Sequence, residues 1–254
     1  MSNRAFAVAA HPDDIEFLMA GTLVLLKNAG FEIHCMTVAN GSCGSARLDA
    51  EEIIKIRREE AMAAAASVGA VFHESLVNDI EIFYEKGLLA RLGSIMRDVA
   101  PQILLVHSPR DYMADHENAA RLAVTAAFCR GMRNFPVDPP RDPVNQQMTV
   151  YHAQPYGNRD PVGQLVTPEI FVDVSTVLEQ KRRMLSCHQS QKAWLDESQG
   201  IDSYLNTMTA LAREVGTMAG RCQYAEGWRK HLPFGFCEEH ADPLCAALTD
   251  HTFR

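Results

Sequence analysis

The sequence has no long apolar run, no excess of basic residues and no regular cysteine pattern. None of its apolar stretches is long enough to cross a bilayer, and residues 1–4 lead straight into a strand pattern, so we expect no signal peptide. The sequence has 24 Lys and Arg against 32 Asp and Glu. The resulting net charge of −8 argues against binding to nucleic acid or anionic membranes. Seven scattered cysteines favour reduced thiols over a disulfide framework. We therefore expect a soluble, cytoplasmic protein.

The first half of the chain alternates short apolar runs with helical patterns. Residues 5–9 and 31–39 have the pattern of buried strands, and the apolar helix pattern over 17–29 between them predicts a βαβ unit and a parallel sheet. The clearest helix covers 49–68, with alanines on one side and charged residues on the other. Further strands are predicted over 70–76 and 101–106, and further helices over 87–100 and 116–130.

The second half begins with a proline-rich stretch. Four prolines between residues 135 and 143 exclude a helix or central strand, so we expect a semi-rigid surface loop at the entrance to a site. Strands are then predicted over 148–153 and 169–174, and helices over 175–188, capped by Ser175, 203–218 and 244–248. We expect a single domain over 1–254, with a core over 1–134 and a C-terminal extension of strands, helices and tail over 148–254.

The segment 10–16, AHPDDIE, presents an imidazole and two carboxylates directly after the first strand. In open α/β sheets, ligands bind outside the carboxyl ends of the strands. His11 and Asp14 are three residues apart and can face one point on a tight turn, and both are ligand types that zinc takes. Asp13 must then point elsewhere, which leaves it free to handle a proton. The alternative, an Asp that caps the helix before Phe17, gives the segment no use for its histidine.

A second segment, 107–116 with the sequence HSPRDYMADH, also follows an apolar strand. Because both strands are expected in one parallel sheet, the two segments should emerge at the same edge. A catalytic zinc needs a third protein ligand and one open position. This second segment is therefore the predicted source of the third ligand.

At these residues the chain resembles the PIG-L (LmbE-like) family of zinc-dependent N-acetylglucosaminyl deacetylases. The resemblance rests on segment 10–16 and on Asp115-His116. It is supported by NGSCG at 40–44, RREEA at 57–61 and YAEG at 224–227. It implies an α/β, Rossmann-like three-layer sandwich with a mainly parallel sheet and a C-terminal extension.

The resemblance also implies a mechanism. The family pattern makes His11, Asp14 and His116 the ligands of a zinc ion and Asp13 the general base. The implied reaction is hydrolysis of an N-acetyl amide on a small-molecule amino sugar or its conjugate, with water activated by the metal. We further expect a homo-oligomer.

Two other residues are predicted to bind substrate. Arg57 falls where related sequences carry an arginine that contacts the substrate, although an ordinary ion-paired surface arginine is the alternative. Asp79 lies just beyond a strand end, where it suits either a sugar hydroxyl or a loop-capping role. The small-residue loop 40–45 is either a flexible turn or a place where the backbone approaches a polar substrate.

The chain departs from the family at Met113. Many relatives carry a histidine there, which stabilises the oxyanion or protonates the leaving amine, and a thioether can do neither. Asp115 is the usual partner of that imidazole and therefore needs a new partner here. We also expect Asp115 to contribute to substrate binding. We expect His188 to enter as this catalytic histidine, with helix capping as its alternative role. His107 and His152 are the next candidates.

Two alternative functions and a second metal site have to be weighed against this interpretation of the sequence. A zinc-dependent hydratase or lyase acting on an organic acid fits the same scaffold, but in such relatives the His-Pro-Asp-Asp stretch is altered and here it is intact. A nucleotide-binding module would suit the first strand and helix, yet the turn between them lacks glycines and carries carboxylates that repel phosphate. A second zinc site formed by Cys237, His240, Cys245 and His251 does not have clean zinc-knuckle spacing, so a tail draped over the domain or a neighbouring subunit is favoured.

Overall fold

The computed structural model describes residues 3–193 and 204–254 as alternating strands and helices. The strands are β1 (Arg4–Ala9), β2 (Glu32–Thr37), β3 (Val71–His73), β4 (Ile103–Val106), β5 (Thr149–Ala153), β6 (Ile170–Asp173), β7 (Ala225–Lys230) and β8 (Thr252–Phe253). The α-helices are α1 (Asp14–Leu18), α2 (Ala20–Asn28), α3 (Ala50–Ser67), α4 (Lys86–Val99), α5 (Ala114–Cys129), α6 (Leu178–Leu185), α7 (Tyr204–Ala219) and α8 (Pro243–Ala247).

The strands form one sheet in the order β3-β2-β1-β4-β5-β7-β6-β8. The pairs from β3 to β5 are all parallel, and those involving β6, β7 and β8 are antiparallel. The predicted mixed α/β fold with a mainly parallel sheet is therefore confirmed. The strand order changes direction between β1 and β4, which opens a crevice at their carboxyl ends.

Apolar cores lie on both faces of the sheet. Along β1, Ala5, Ala7 and Ala9 contribute to one core, and Phe6 and Val8 point into the other. This alternation follows the two-residue period of a strand, and burial on both faces explains why the strand reads as a continuous apolar run. A hydrophobic layer on each side fixes β1 and β4, the strands that carry the two His/Asp segments.

The helix predicted over 17–29 is two helices, because the backbone leaves helical geometry at Met19. The physical reason lies in Glu226 on β7, whose carboxylate accepts hydrogen bonds from the amides of Gly21 and Thr22 at 2.8 and 2.7 Å. A carboxylate at these positions satisfies the free N–H groups of a helix start. The ammonium of Lys181 lies 2.6 Å from Glu226 Oε1 and neutralises the buried charge.

The C-terminal half differs most from the sequence prediction. Strand β7 was not predicted, although it lies between β5 and β6 and joins them into the same sheet. The proposed Ser175 cap is wrong: α6 begins after a short 3₁₀ turn, with Val177 at its N-cap, and the Ser175 hydroxyl instead contacts the backbone of Tyr224. Ser203, the predicted start of another helix, lies outside the described residues.

The proline-rich segment is a loop, as predicted, and the guanidinium of Arg97 organises it. Arg97 is buried and donates to five backbone carbonyls near the end of α5 and in the loop, those of Cys129, Arg130, Met132, Phe135 and Arg141. Such a cage of carbonyls compensates a buried cation. Within the described residues, no helix has the length and apolar character needed to span a membrane.

Candidate metal centre and its cavity

Two chain segments meet at the crevice between β1 and β4. His11, Asp13 and Asp14 follow β1, and His116 lies in the first turn of α5, just after β4. One nitrogen from each histidine and one oxygen of Asp14 lie within 4.8 Å of one another. The structure therefore brings together the three residues that the family resemblance implied as metal ligands, His11, Asp14 and His116, which form the candidate ligand group.

The two histidines direct one ring nitrogen each at the same carboxylate. His11 Nδ1 lies 3.5 Å from Asp14 Oδ2, and His116 Nε2 lies 3.5 Å from Asp14 Oδ1. These separations are too long for strong hydrogen bonds. They fit three metal-ligand atoms, two nitrogens and one oxygen, arranged around a common point. Two imidazoles and one carboxylate are a donor set found in catalytic zinc sites with an open position.

The opposite ring nitrogens are each held by a second carboxylate. His11 Nε2 lies 3.0 Å from Asp115 Oδ2, and His116 Nδ1 lies 2.9 Å from Asp111 Oδ1. Metal-binding histidines almost always donate their other N–H in this way, which fixes the tautomer and the ring orientation. The residues present therefore fit a metal ion. Sequence reasoning missed Asp111, although it lies only five residues before His116.

Asp115 does not take the role expected from the sequence. Its Oδ2 accepts from the backbone amide of Ile80 and faces His11, so its contacts are with a candidate metal ligand and the backbone. Met113, which stands where many relatives carry a histidine, lines the cavity. The partner that Asp115 was expected to need is therefore His11 and not His188.

A second cluster, His107, Asp111 and His116, also has the side chains for a metal. The rings of His107 and His116 are stacked, with centroids 4.2 Å apart and planes 10° apart. Their nitrogen lone pairs lie in those parallel planes and cannot converge on one ion. His107 instead stacks on His116, and its Nε2 accepts a hydrogen bond from the amide of Ala10 at 3.0 Å.

Burial and charge shift the pKa values of the ligand group in opposite directions. Burial lowers the pKa of His11, but its contacts with Asp115 and Asp14 outweigh this and raise it to about 10. Burial likewise lowers the pKa of His116, and Asp14 with Asp111 raises it overall. Burial favours the neutral form of Asp14, yet His116 and His107 hold its pKa well below the ordinary value. The carboxylate stays ionised, and a metal has to displace protons from the imidazoles.

Asp13 lies in the same cavity but outside the ligand group. Its backbone has a φ of 108°, and although it occupies the N-cap position of α1 its side chain makes no capping hydrogen bond. That excludes the capping role considered as the alternative. Instead, Tyr204 donates a hydrogen bond to Asp13 Oδ2, and Arg57 Nη2 lies 3.6 Å from Oδ1. Burial raises the pKa of Asp13 to about 6, against the lowering effect of Arg57.

His188 does not face Asp115 as expected. It is 1% exposed, and its Nε2 lies 3.3 Å from Glu16 Oε2, on the helix that follows Asp13. Burial lowers the pKa of His188, but Glu16 and Asp13 raise it overall. His152 is also removed from the ligand group, because its ring nitrogens contact the His107 carbonyl and His231.

Arg57 is buried beside Asp13, so the ordinary surface role is excluded. Its Nη2 donates to the Pro12 carbonyl, and the glycines of loop 40–45 make room for its side chain. A Cβ on Gly41, which has a φ of +81°, would lie 2.5 Å from Arg57 Cδ, and one on Gly44 would also collide with the guanidinium. The small residues of this loop therefore accommodate Arg57.

Asp79 holds the same loop. Its two carboxylate oxygens accept from the amides of Gly41 and Cys43, at 2.7 and 2.9 Å. Of the two roles considered for Asp79, the geometry supports the loop-capping one. By fixing the loop, Asp79 also fixes the space around Arg57.

These elements enclose a cavity of about 460 Å³. One end holds the ligand group and Asp13. The rest is largely aromatic and apolar, formed by Phe17, Ile80, Tyr112, Met113, Tyr156 and Tyr204. Sequence reasoning missed these aromatic residues, which come from four separate segments. The cysteines and histidines of the C-terminal tail do not form a metal-binding group among the described residues.

Comparison with known proteins gives relatives of two activities. Residues 6–127 match the family model described as PIG-L: GlcNAc-PI de-N-acetylase. The chain is 28% identical over 238 residues to 4-oxalmesaconate hydratase of Pseudomonas putida, covering 90% of this chain and 89% of that protein. It is 27% identical over 234 residues to diacetylchitobiose deacetylase of Thermococcus kodakarensis, covering 89% and 82%.

Solved structures give the same pair. The 4-carboxy-2-hydroxymuconate hydratase GalB of Pseudomonas putida superposes with a TM-score of 0.77 at 25% identity, covering 91% of this chain and 97% of that one. The N,N'-diacetylchitobiose deacetylase of Pyrococcus horikoshii superposes with a TM-score of 0.76 at 22% identity, covering 91% and 84%. These similarities do not distinguish between the two activities. The segment that matches the family model, residues 6–127, contains His11, Asp14 and His116. The chain therefore carries a PIG-L family domain over residues 6–127, as its motifs indicated.

Proposed function

We propose that the protein is a zinc-dependent hydrolase that removes an N-acetyl group from an amino sugar or an amino-sugar conjugate. The observation that carries the proposal is the position of Asp13, which shares the cavity with His11, Asp14 and His116 but is held by other partners. A carboxylate beside a metal group, and not part of it, is the arrangement that a general base requires. We propose zinc because imidazole and carboxylate ligands in a partly open site suit it.

The residues divide the work of amide hydrolysis. A bound metal would supply the Lewis acid that polarises the acetamide carbonyl and acidifies the attacking water. Asp13 accepts the water proton at Oδ1, because Tyr204 already donates to Oδ2. The water oxygen bonds to the carbonyl carbon, the C–N bond breaks as Asp13 returns its proton to the amine nitrogen, and acetic acid and the free amine leave. The acid then ionises to acetate in solution. A pKa of about 6 suits a group that takes up and releases a proton near neutral pH.

The walls of the cavity favour a neutral, polar substrate over a polyanion. Arg57 is the one cationic Lys or Arg side chain among the described residues that line it, and it already faces Asp13. Asp13, Asp14 and Asp79 add negative charge. Aromatic rings such as Phe17 and Tyr156 offer flat apolar faces on which a sugar ring can lie.

The second candidate is a hydratase that adds water to an unsaturated organic acid. It is favoured by the 28% identity to 4-oxalmesaconate hydratase over 90% of the chain. In that case Arg57 would bind a substrate carboxylate and would have to leave Asp13. Both functions use the same metal and base, so substrate tests have to separate them.

The test is amine release from N-acetylglucosamine and N,N'-diacetylchitobiose by protein of measured zinc content. We expect about one zinc per chain, free amine from one of these substrates, and at least ~10²-fold slower turnover in Asp13→Asn with zinc retained. Asp14→Asn should instead weaken metal binding. Absence of amine release, together with loss of the conjugated double bond of an unsaturated dicarboxylic acid, would establish the hydratase instead.

A further inference from the structure

Tyr204 joins a late helix to the candidate base. It lies at the start of α7 and is 3% exposed, and its hydroxyl donates to Asp13 Oδ2 across 191 positions of sequence. Its ring lies 5.5 Å from the ring of Phe17, and Leu185 and Met208 complete the packing. The phenol is thus fixed by its surroundings before it meets the carboxylate.

Asp13 itself is held in an uncommon backbone conformation. A φ of 108° lies in the left-handed region, where the backbone of a residue other than glycine is strained. Strain of this kind persists only where neighbouring contacts over-determine it. At the side chain these contacts are the hydrogen bond from Tyr204 and the guanidinium of Arg57, one at each carboxylate oxygen, and the Asp13 carbonyl accepts from the amide of Phe17 at 2.8 Å.

We propose, building on the function proposed above, that Tyr204 is a positioning residue that directs Asp13 and keeps it from binding the metal. With Oδ2 engaged by the phenol, the carboxylate cannot rotate towards Asp14 and become a fourth protein ligand. Oδ1 is left to face Arg57 and the cavity. Asp13 and Asp14 are adjacent carboxylates, so a specific contact is needed to give them different roles.

A matched control exists in the same protein. Tyr151 is fully buried and is not among the residues that line the cavity; its hydroxyl donates to Asp242 Oδ1 at 2.8 Å and accepts from the amide of Leu244 at 3.2 Å. Tyr151→Phe and Tyr204→Phe each remove a phenol–carboxylate hydrogen bond and keep the ring, and Tyr151→Phe also removes the partner of the Leu244 amide. A merely structural role for Tyr204 predicts the same behaviour in both variants.

The first measurement uses Co²⁺ in place of zinc, so it does not depend on finding the substrate. If Tyr204 holds Asp13 off the metal, Tyr204→Phe allows Asp13 to coordinate, and the visible absorption of Co²⁺ loses intensity as coordination number rises. The double variant Asp13→Asn/Tyr204→Phe should recover the wild-type spectrum, and Tyr151→Phe should keep it. An unchanged spectrum in Tyr204→Phe, with the fold verified by its melting temperature, overturns this part of the proposal.

The second measurement is turnover on the acetylated substrate. Tyr204→Phe should lower kcat about 10- to 100-fold, the effect of losing a hydrogen bond to a charged group, and leave KM within about twofold. In an Asp13→Asn background the same change should cost almost nothing, because the group it positions is gone. Equal losses in both backgrounds would contradict positioning. Wild-type protein without deacetylase activity would refute the proposed function, and the cobalt spectra would still decide the role of Tyr204.

Discussion

At the scale of single residues, the candidate centre depends on carboxylates that do not belong to the ligand group. Asp115 and Asp111 each hold one ring nitrogen of a candidate ligand, at 3.0 and 2.9 Å. Both are nearly buried, so their charge acts through a protein environment with little screening. The ring orientation of each candidate ligand histidine is therefore fixed before a metal binds.

We predict that Asp111→Asn and Asp115→Asn each weaken zinc binding by about 10- to 100-fold, because the ligand histidines lose both orientation and basicity. Competition with a chelator measures this affinity. Asp98→Asn is the control, since Asp98 forms an exposed ion pair with Arg141. Unchanged affinity in both buried variants would show that the histidines are held by packing alone.

A second prediction concerns Gly41, whose left-handed backbone and missing Cβ leave space for Arg57. Gly41→Ala should displace the guanidinium from Asp13 and reduce turnover at least ~10-fold, with a smaller effect on metal content. Gly163→Ala is the control: it also has a positive φ, and a Cβ there meets nothing within 4 Å. If both variants lose turnover equally, backbone strain is responsible and not the collision with Arg57.

At the scale of elements, the proline-rich segment is fixed by a cation. Arg97 reaches carbonyls from Cys129 to Arg141, so one side chain of α4 holds the end of α5 and the loop beyond it. A lysine has the same charge but cannot span five acceptors with a planar fork. The geometry of the guanidinium is therefore as important as its charge.

We predict that Arg97→Lys lowers the free energy of unfolding by at least about 2 kcal/mol, since buried carbonyls lose their partners. Urea unfolding measures this, with exposed Arg133→Lys as the control. An equal, small effect in the two variants would mean that water replaces the lost contacts.

The elements nearest the centre were the most predictable ones. Residues His11, Asp14 and His116 stand in short motifs beside strongly apolar strands. Helix α3 begins and ends within one residue of its predicted bounds. Strand β7 and the phenol of Tyr204 were missed for one reason. Each is defined by a partner far along the chain, and local periodicity carries no information about such pairing. The break at Met19 likewise depends on Glu226, over 200 residues away.

At the scale of the whole molecule, buried neutral histidines couple stability to pH. His152 donates from Nδ1 to the carbonyl of His107 and pairs through Nε2 with His231. Burial lowers the pKa of His152 to about 4, and the charge of His231 adds to this effect. Because the unfolded chain binds the proton more readily, this contribution to stability is present above pH 6.5 and is lost as pH falls towards 4.

We therefore expect the free energy of unfolding to fall between pH 6.5 and 4, and His152→Asn to reduce that pH-dependent loss by about 3 kcal/mol at most. Urea unfolding at several pH values, with and without zinc, measures the slope. An identical slope in the variant would assign the acid sensitivity to other groups, such as His73, whose pKa burial also lowers to about 4.

The strand order has a consequence for how copies of the chain associate. The sheet ends at β3, with three residues, and at β8, with two, so its outer strands offer few free backbone groups. Long, flat outer strands invite pairing between molecules and growth into fibrils, and short ones prevent it. We therefore expect any homo-oligomer of this protein to assemble through helix and loop surfaces, without a sheet that continues from one copy to the next.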